Sequence, residues 1–163
     1  MIKELNLVNS DLILNSSRVL ILISKFESKK KFKLNTNKIM LFDFYMKFPN
    51  TMLPNEDHSL NKEDFNEYYS YFHWQPNFEE YQLYIRFLLS KNLVERITIE
   101  NDFCYRINQQ GIEALKSIKT PYSIELHKIA EYIKKEISNL SEAKIEKSII
   151  EMSLKKDRND KNL

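Results

Sequence analysis

The segment from residue 83 to residue 137 limits the possible folds of this chain more than any other part of its sequence. A helical pattern ends near Asn92, two short segments with alternating apolar residues follow, and a second helical pattern leads to a break at Pro121. Alternation with a period of two between helical patterns predicts a β-hairpin flanked by helices. This order is typical of a winged helix. We therefore expect a mainly α (α+β) fold, namely a winged-helix domain with a β-hairpin wing, a long insertion and a C-terminal helical arm.

Polar capping residues indicate where the other helices begin and end. An Asn-Ser-Asp triplet before a largely apolar run predicts a buried helix over about residues 11–26. Asn35 is a suitable cap for a second helix, which Pro49 ends. A third helix begins at Phe78, and Asn92 follows it where a C-cap residue needs a positive φ.

The hairpin should place one apolar face on the core and one face in water, with its turn at the Asn-Asp pair of residues 101–102. Its apolar residues alternate with polar ones: Ile97 and Ile99 in the first strand, and Phe103, Tyr105 and Ile107 in the second. Cys104 falls between them and is interpreted as a packing or surface residue. The predicted organisation is a winged-helix-like domain over 1–119 with an insertion at about 49–77, a helical arm over 120–154 and a disordered tail over 155–163.

Apolar residues in the arm recur at spacings of four and three, as in the seam of a coiled coil. They are Leu126, Ala130, Ile133, Ile137 and Leu140. This stripe can either fold back on its own domain or accept a helix of a partner protein. We favour the partner. A second candidate for partner binding is the aromatic cluster of the insertion, with packing of the insertion against the helices as the alternative; it includes Tyr68, Tyr69 and Trp74.

Charge and composition exclude several classes of function. The formal net charge of +2 lacks the broad basic excess of a dedicated nucleic-acid binder. A single cysteine, Cys104, excludes an intrachain disulfide framework and a Cys-rich zinc site. A single glycine, Gly111, excludes a P-loop and a dinucleotide-binding turn, since both need several glycines. We expect no catalytic residue, cofactor, metal or small-molecule substrate, and a cytoplasmic protein without a membrane segment. Asp43 stands in an apolar helix and therefore needs a cationic partner, either Arg18 or Arg86.

Local charge gives a weak candidate site for DNA. The basic link between the first two helices could bind phosphates, although a solvated linker is the favoured interpretation; it contains Lys29, Lys30, Lys31 and Lys33. The third helix begins with Glu79 and Glu80, and the wing tip is acidic as well, so repulsion from phosphate counts against base recognition by the winged helix.

Over about residues 6–138 the chain resembles the middle component of three-component ABC (ABC-3C) systems, the small subunit of Lamassu-type antiphage and antiplasmid defence operons. The resemblance depends on five segments, which are residues 5–10 (LNLVNS), 41–45 (LFDFY), 88–94 (LLSKNLV), 103–107 (FCYRI) and 120–122 (TPY). It implies a complex that senses foreign DNA, with an SMC/Rad50-like ATPase and an effector nuclease as partners. It also implies that this subunit has no activity of its own and meets DNA through the assembled complex.

Two other classes of function stay open at this point. A winged-helix transcriptional regulator would bind DNA as a homodimer, with the long helix of the arm as the dimer element. An enzyme would need a constellation of reactive side chains that the sequence does not display.

Overall fold

The computed structural model describes residues 2–54 and 77–160, with side chains from residue 10 to residue 155 within those ranges. The elements in chain order are α1 (Ile2–Ser24), α2 (Thr36–Lys47), α3 (Pro49–Met52), α4 (Phe78–Ser90), β1 (Val94–Ile99), β2 (Asp102–Ile107), α5 (Gln109–Lys116), α6 (Pro121–Tyr132), a π-helical turn (Ile133–Ile137) and α7 (Glu142–Asp160). The fold is mainly helical with a two-stranded antiparallel sheet, as expected.

Capping chemistry explains several helix boundaries. The Asn35 side chain accepts a hydrogen bond from the backbone N–H of Lys38 at 2.9 Å, which confirms the predicted start of α2. Thr120 and Ser123 form a reciprocal capping box that begins α6. Asn92 has a φ of 53°, as predicted for the residue that ends α4. α1 begins at Ile2, about nine residues earlier than predicted.

The hairpin is present, but its turn and its faces differ from expectation. The turn residues are Glu100 and Asn101, with φ of 47° and 68°, because Ile99 pairs with Asp102. Ile97 pairs with Cys104, so these two residues share one face, while Tyr105 lies on the other. Apolar side chains therefore occupy both faces, and the prediction of one wet face is wrong. Cys104 is buried, whereas Phe103 is exposed and its ring lies 4.4 Å from the Arg96 guanidinium.

The middle of α1 forms the centre of the core. Its residues 19–23 are at most 2% exposed, and α1 packs against α2, α4 and α6. Beside it, Phe26, Phe32 and Phe42 stack with centroid separations of 4.9 to 6.4 Å. Each fully buried apolar side chain of this core, such as Phe42, stabilises the fold by roughly 1.5–3 kcal/mol relative to an exposed one. The chain therefore packs α2, α4 and α6 around α1.

The C-terminal part of the chain is two helices packed on the domain and not one extended arm. α6 continues into the π-helical turn, whose last bond joins the Ser138 N–H to the Ile133 carbonyl at 2.8 Å, and the chain then turns before α7. α7 packs against α2 and α3, with Ile145 and Ile149 each 1% exposed. The backbone of residues 155–160 continues this helix where a disordered tail was predicted, and residues 161–163 lie outside the described part.

Candidate partner-docking face

A buried ion pair joins α1 to α2 and α4. The Arg18 guanidinium donates from Nε and Nη2 to the two Asp43 oxygens at 2.7 and 2.8 Å, and the Tyr81 hydroxyl donates to Oδ2 at 2.6 Å. Asp43 is fully buried and Arg18 is 5% exposed. The predicted requirement for a cationic partner is confirmed, and of the two candidates it is Arg18; Arg86 is exposed. This cluster has a structural role, since its donors and acceptors satisfy one another.

The pKa values in this cluster reflect mutual stabilisation of charge. Burial alone raises the pKa of the Asp43 carboxyl, but Coulombic attraction and hydrogen bonds from Arg18 outweigh burial and hold the pKa below its ordinary value. Burial likewise opposes the charge of Arg18, yet Asp43 raises its pKa above the ordinary value. Burial, and next the negative charge of Asp43, raise the pKa of Tyr81. Asp43 and Arg18 are therefore both charged at neutral pH.

The predicted docking stripe of the arm faces the core of its own domain. Leu126, Ala130, Ile133 and Ile137 are between 0 and 8% exposed, and Leu140 is half-buried against the same core. The preference for a partner on this stripe is thus corrected, because its residues are covered by the chain itself. A spacing of three and four identifies the apolar face of a helix but not what covers that face.

The opposite side of α6 is open and borders a groove of about 740 Å³. We call it the basic groove; it is lined by Lys25, Leu53, Ile124, His127, Lys128, Ile129, Glu131, Tyr132 and Lys135. Leu53 and Ile129 are buried and form an apolar floor, while Ile124 is 53% exposed at the edge. The lysines stand around this floor. The sequence did not predict this site, because only the apolar stripe of the helix was considered as a docking surface.

Electrostatics in the basic groove are positive. Lys128 lies 3.7 Å from Glu125, whose side chain is buried, and Lys135 lies 3.8 Å from Glu131, while the Lys128 and Lys135 side chains are themselves 62% and 67% exposed. Burial, and next the positive charge of Lys25, lower the pKa of His127. At neutral pH the groove therefore carries three lysine charges against that of one lining glutamate.

A second, smaller groove of about 400 Å³ lies between α1 and the first turn of α6. We call it the apolar groove; it is lined by Ser10, Ile13, Leu14, Ser17, Arg18, Ile21, Ile118, Thr120, Tyr122, Ser123 and Leu126. Ile13, Leu14 and Tyr122 are 45 to 54% exposed there. The first turn of α6 separates the two grooves, since Tyr122 lines one and Ile124 lines the other. Both grooves border α6 and carry exposed apolar side chains, and together they are the candidate docking face.

Two of the four lysines proposed for DNA are engaged within the chain. The Lys29 ammonium donates to the Lys134 carbonyl at 3.1 Å and to Ser138 Oγ at 2.8 Å, at the end of the π-helical turn. Lys33 lies 2.5 Å from Glu100 and 3.8 Å from Asp102 at the wing tip. Lys30 and Lys31 are exposed. The aromatic residues Tyr68, Tyr69 and Trp74 lie outside the described residues.

Residues 2–54 and 77–160 contain no group of three or more His, Cys, Asp or Glu side chains arranged to hold a metal ion. None of their helices combines the length and the apolar character needed to cross a membrane.

Comparison with known proteins identifies the family. The family model described as ABC-three component (ABC-3C) system Middle Component 2 matches residues 8–158, which is nearly the whole chain. The chain belongs to this family. No curated protein and no solved structure matches it. The match confirms the ABC-3C part of the resemblance seen in the sequence, and a middle component implies other components as partners. It extends over α7 as well, which the resemblance did not reach.

Proposed function

We propose that this ABC-3C middle component is a non-catalytic, cytoplasmic subunit that links an SMC/Rad50-like ATPase to an effector nuclease in a Lamassu-type antiphage and antiplasmid defence complex. The observation that carries the proposal is the docking face on the outer side of α6, in a chain whose family implies partner proteins. Interface centres are rich in apolar and aromatic side chains with a polar rim, as on this face.

The connectivity supports a winged-helix interpretation of the domain. The extended residues before α2 are held to the hairpin by a hydrogen bond from the Tyr105 N–H to the Leu34 carbonyl at 3.0 Å. The order is thus helix, short extended segment, two helices and hairpin, with α3 and the insertion between the two helices. In this interpretation α4 takes the place of a recognition helix.

The same elements favour protein contacts over direct recognition of DNA. Glu79 and Glu80 are exposed at the start of α4, and Leu83 is 51% exposed on it. The wing tip is acidic, and its Glu100 and Asp102 carboxylates pair with Lys33, one of the lysines proposed for DNA. A homodimeric regulator would also need the stripe of α6 as its dimer element, and that stripe is buried in its own domain. DNA would therefore be sensed by the assembled complex.

Co-expression tests the proposal directly. The affinity-tagged chain is produced with the products of its neighbouring genes, and the eluate is analysed by size-exclusion chromatography with light scattering at moderate salt. We expect co-elution with a large ATPase at a fixed stoichiometry. A chain that elutes without these proteins, as a dimer that shifts a DNA probe, would support the regulator instead.

A further inference from the structure

We infer that the basic groove binds an acidic peptide segment with apolar side chains, contributed by a partner protein of the same complex. The inference rests on the proposed function, because it assumes such a partner, and it goes further by naming the surface and the chemistry of the segment. Charge complementarity and the apolar floor of the groove are the observations that support it.

The floor requires apolar side chains from the occupant. Leu53, at the end of α3, and Ile129, in α6, are 7% and 2% exposed and close the groove from below. Ile124 and the Tyr132 ring extend this surface to the sides. Water over such a surface is displaced favourably by aliphatic or aromatic groups. The floor is aliphatic, whereas the bases of a nucleic acid strand bind best by stacking on aromatic rings, so a peptide fits the groove better than a nucleic acid strand does.

The rim requires negative charge. Lys128, in α6, and Lys135, in the π-helical turn, both line the groove, and their side chains are 62% and 67% exposed. Lys25 faces them from the residue just after α1, close enough to His127 to lower the pKa of the imidazole. Glu131 is the only acidic residue of the lining, and it is paired with Lys134 and Lys135. Carboxylates of an occupant would meet the three ammonium groups on both sides of the floor.

Binding of defined probes tests the inference. Overlapping fluorescent peptides that cover the co-encoded ATPase and nuclease are titrated with the full chain, and fluorescence polarisation gives their affinities; an oligo-dT strand is the competing probe. Peptides rich in Asp and Glu with interspersed apolar residues should bind, and a higher salt concentration should lower their affinity. The double variant Lys25→Glu/Lys128→Glu should weaken binding by about tenfold or more.

Matched controls separate charge from position. Lys116→Glu changes a lysine on α5 that is about as exposed as Lys128 and does not line the groove, and this variant should bind the peptides as the unaltered chain does. Ile124→Asp should weaken binding by placing a charge at the apolar edge of the groove, whereas Met152→Asp, at an exposed apolar position on α7, should not. Replacing acidic residues of the bound peptide with lysine should restore affinity for the double charge variant.

The outcomes distinguish this inference from the proposed function. If the chain assembles with the ATPase and nuclease but the groove variants bind all peptides normally, the groove inference is overturned and the proposed function stands. Tight binding of oligo-dT that the groove variants abolish, with no peptide bound, would overturn it in favour of nucleic acid. If the unaltered chain does not assemble with those proteins, the proposed function fails first.

Discussion

Replacement of Asp43 by Asn should destabilise the protein strongly, because it leaves Arg18 as a buried charge without a counter-charge. Asn keeps the shape of the side chain, but its amide nitrogen replaces an oxygen that accepts a hydrogen bond from Arg18 or Tyr81. Two hydrogen-bond donors would then face each other in the core. Breaking a buried pair by removing one charge costs about 3–5 kcal/mol. That is a large share of the roughly 5–15 kcal/mol that stabilises a typical domain.

Urea unfolding followed by circular dichroism measures this cost. With a slope of about 1–3 kcal/mol per molar urea, the midpoint of the Asp43→Asn variant should fall by roughly 2 M. The triple variant Arg18→Met/Asp43→Leu/Tyr81→Phe removes all members of the cluster together, so it should lose less stability than the single variant. A single variant within about 1 kcal/mol of the unaltered protein would refute this account of the cluster.

The same pair gives a pH dependence of known sign. The folded pKa of Asp43 lies below its ordinary value of 3.8, so its contribution is complete above that value and is lost as the pH falls through the folded pKa. The difference in free energy of unfolding between the unaltered protein and Asp43→Asn should therefore stay constant near neutral pH and shrink in acid. A difference that grows on acidification would contradict the sign.

Three further predictions follow from burial. Ile133→Asp places a charge at a fully buried position and should abolish the cooperative thermal transition of the isolated chain. An Ile133→Asp variant that still unfolds cooperatively would contradict the burial of this residue. Gly111→Ala would bring a Cβ within 2.6 Å of Ile107 Cγ1 and closer still to the Leu93 carbonyl oxygen, so urea unfolding should show a loss of about 1–3 kcal/mol, whereas the exposed neighbour Gln110→Ala should be near neutral. Burial raises the pKa of the Cys104 thiol, so a disulfide reagent should modify it much more slowly in the folded protein than in urea, and equal rates would place it at the surface.

The sequence predicted best those features whose chemistry is local. Asn35 caps α2 through its own side chain, Pro121 can stand only near the start of a helix, and Asn92 tolerates a positive φ better than most residues do. The need of Asp43 for a partner was also predictable, since an ionised carboxylate in an apolar helix cannot be left alone. The identity of that partner depended on how α1 crosses α2, which no local pattern encodes.

Features that depend on tertiary placement were predicted poorly. The apolar stripe of α6 has the same spacing whether a partner or its own domain covers it, and the turn after Ser138 that brings α7 back has no proline or glycine to mark it. The basic groove brings Lys25 together with Lys128 and Lys135, although Lys25 precedes both of them by about a hundred residues in the chain. The hairpin faces were misassigned because a two-residue turn pairs odd-numbered residues of β1 with even-numbered residues of β2, so Ile97 and Phe103 lie on opposite faces.

The most direct test of the central claim is to mix the purified ATPase and nuclease with and without this chain and to measure the mass of each mixture by light scattering. A linking subunit predicts a three-component complex when the chain is present and separate ATPase and nuclease when it is absent. An ATPase and nuclease that associate equally well without the chain would contradict the linking role.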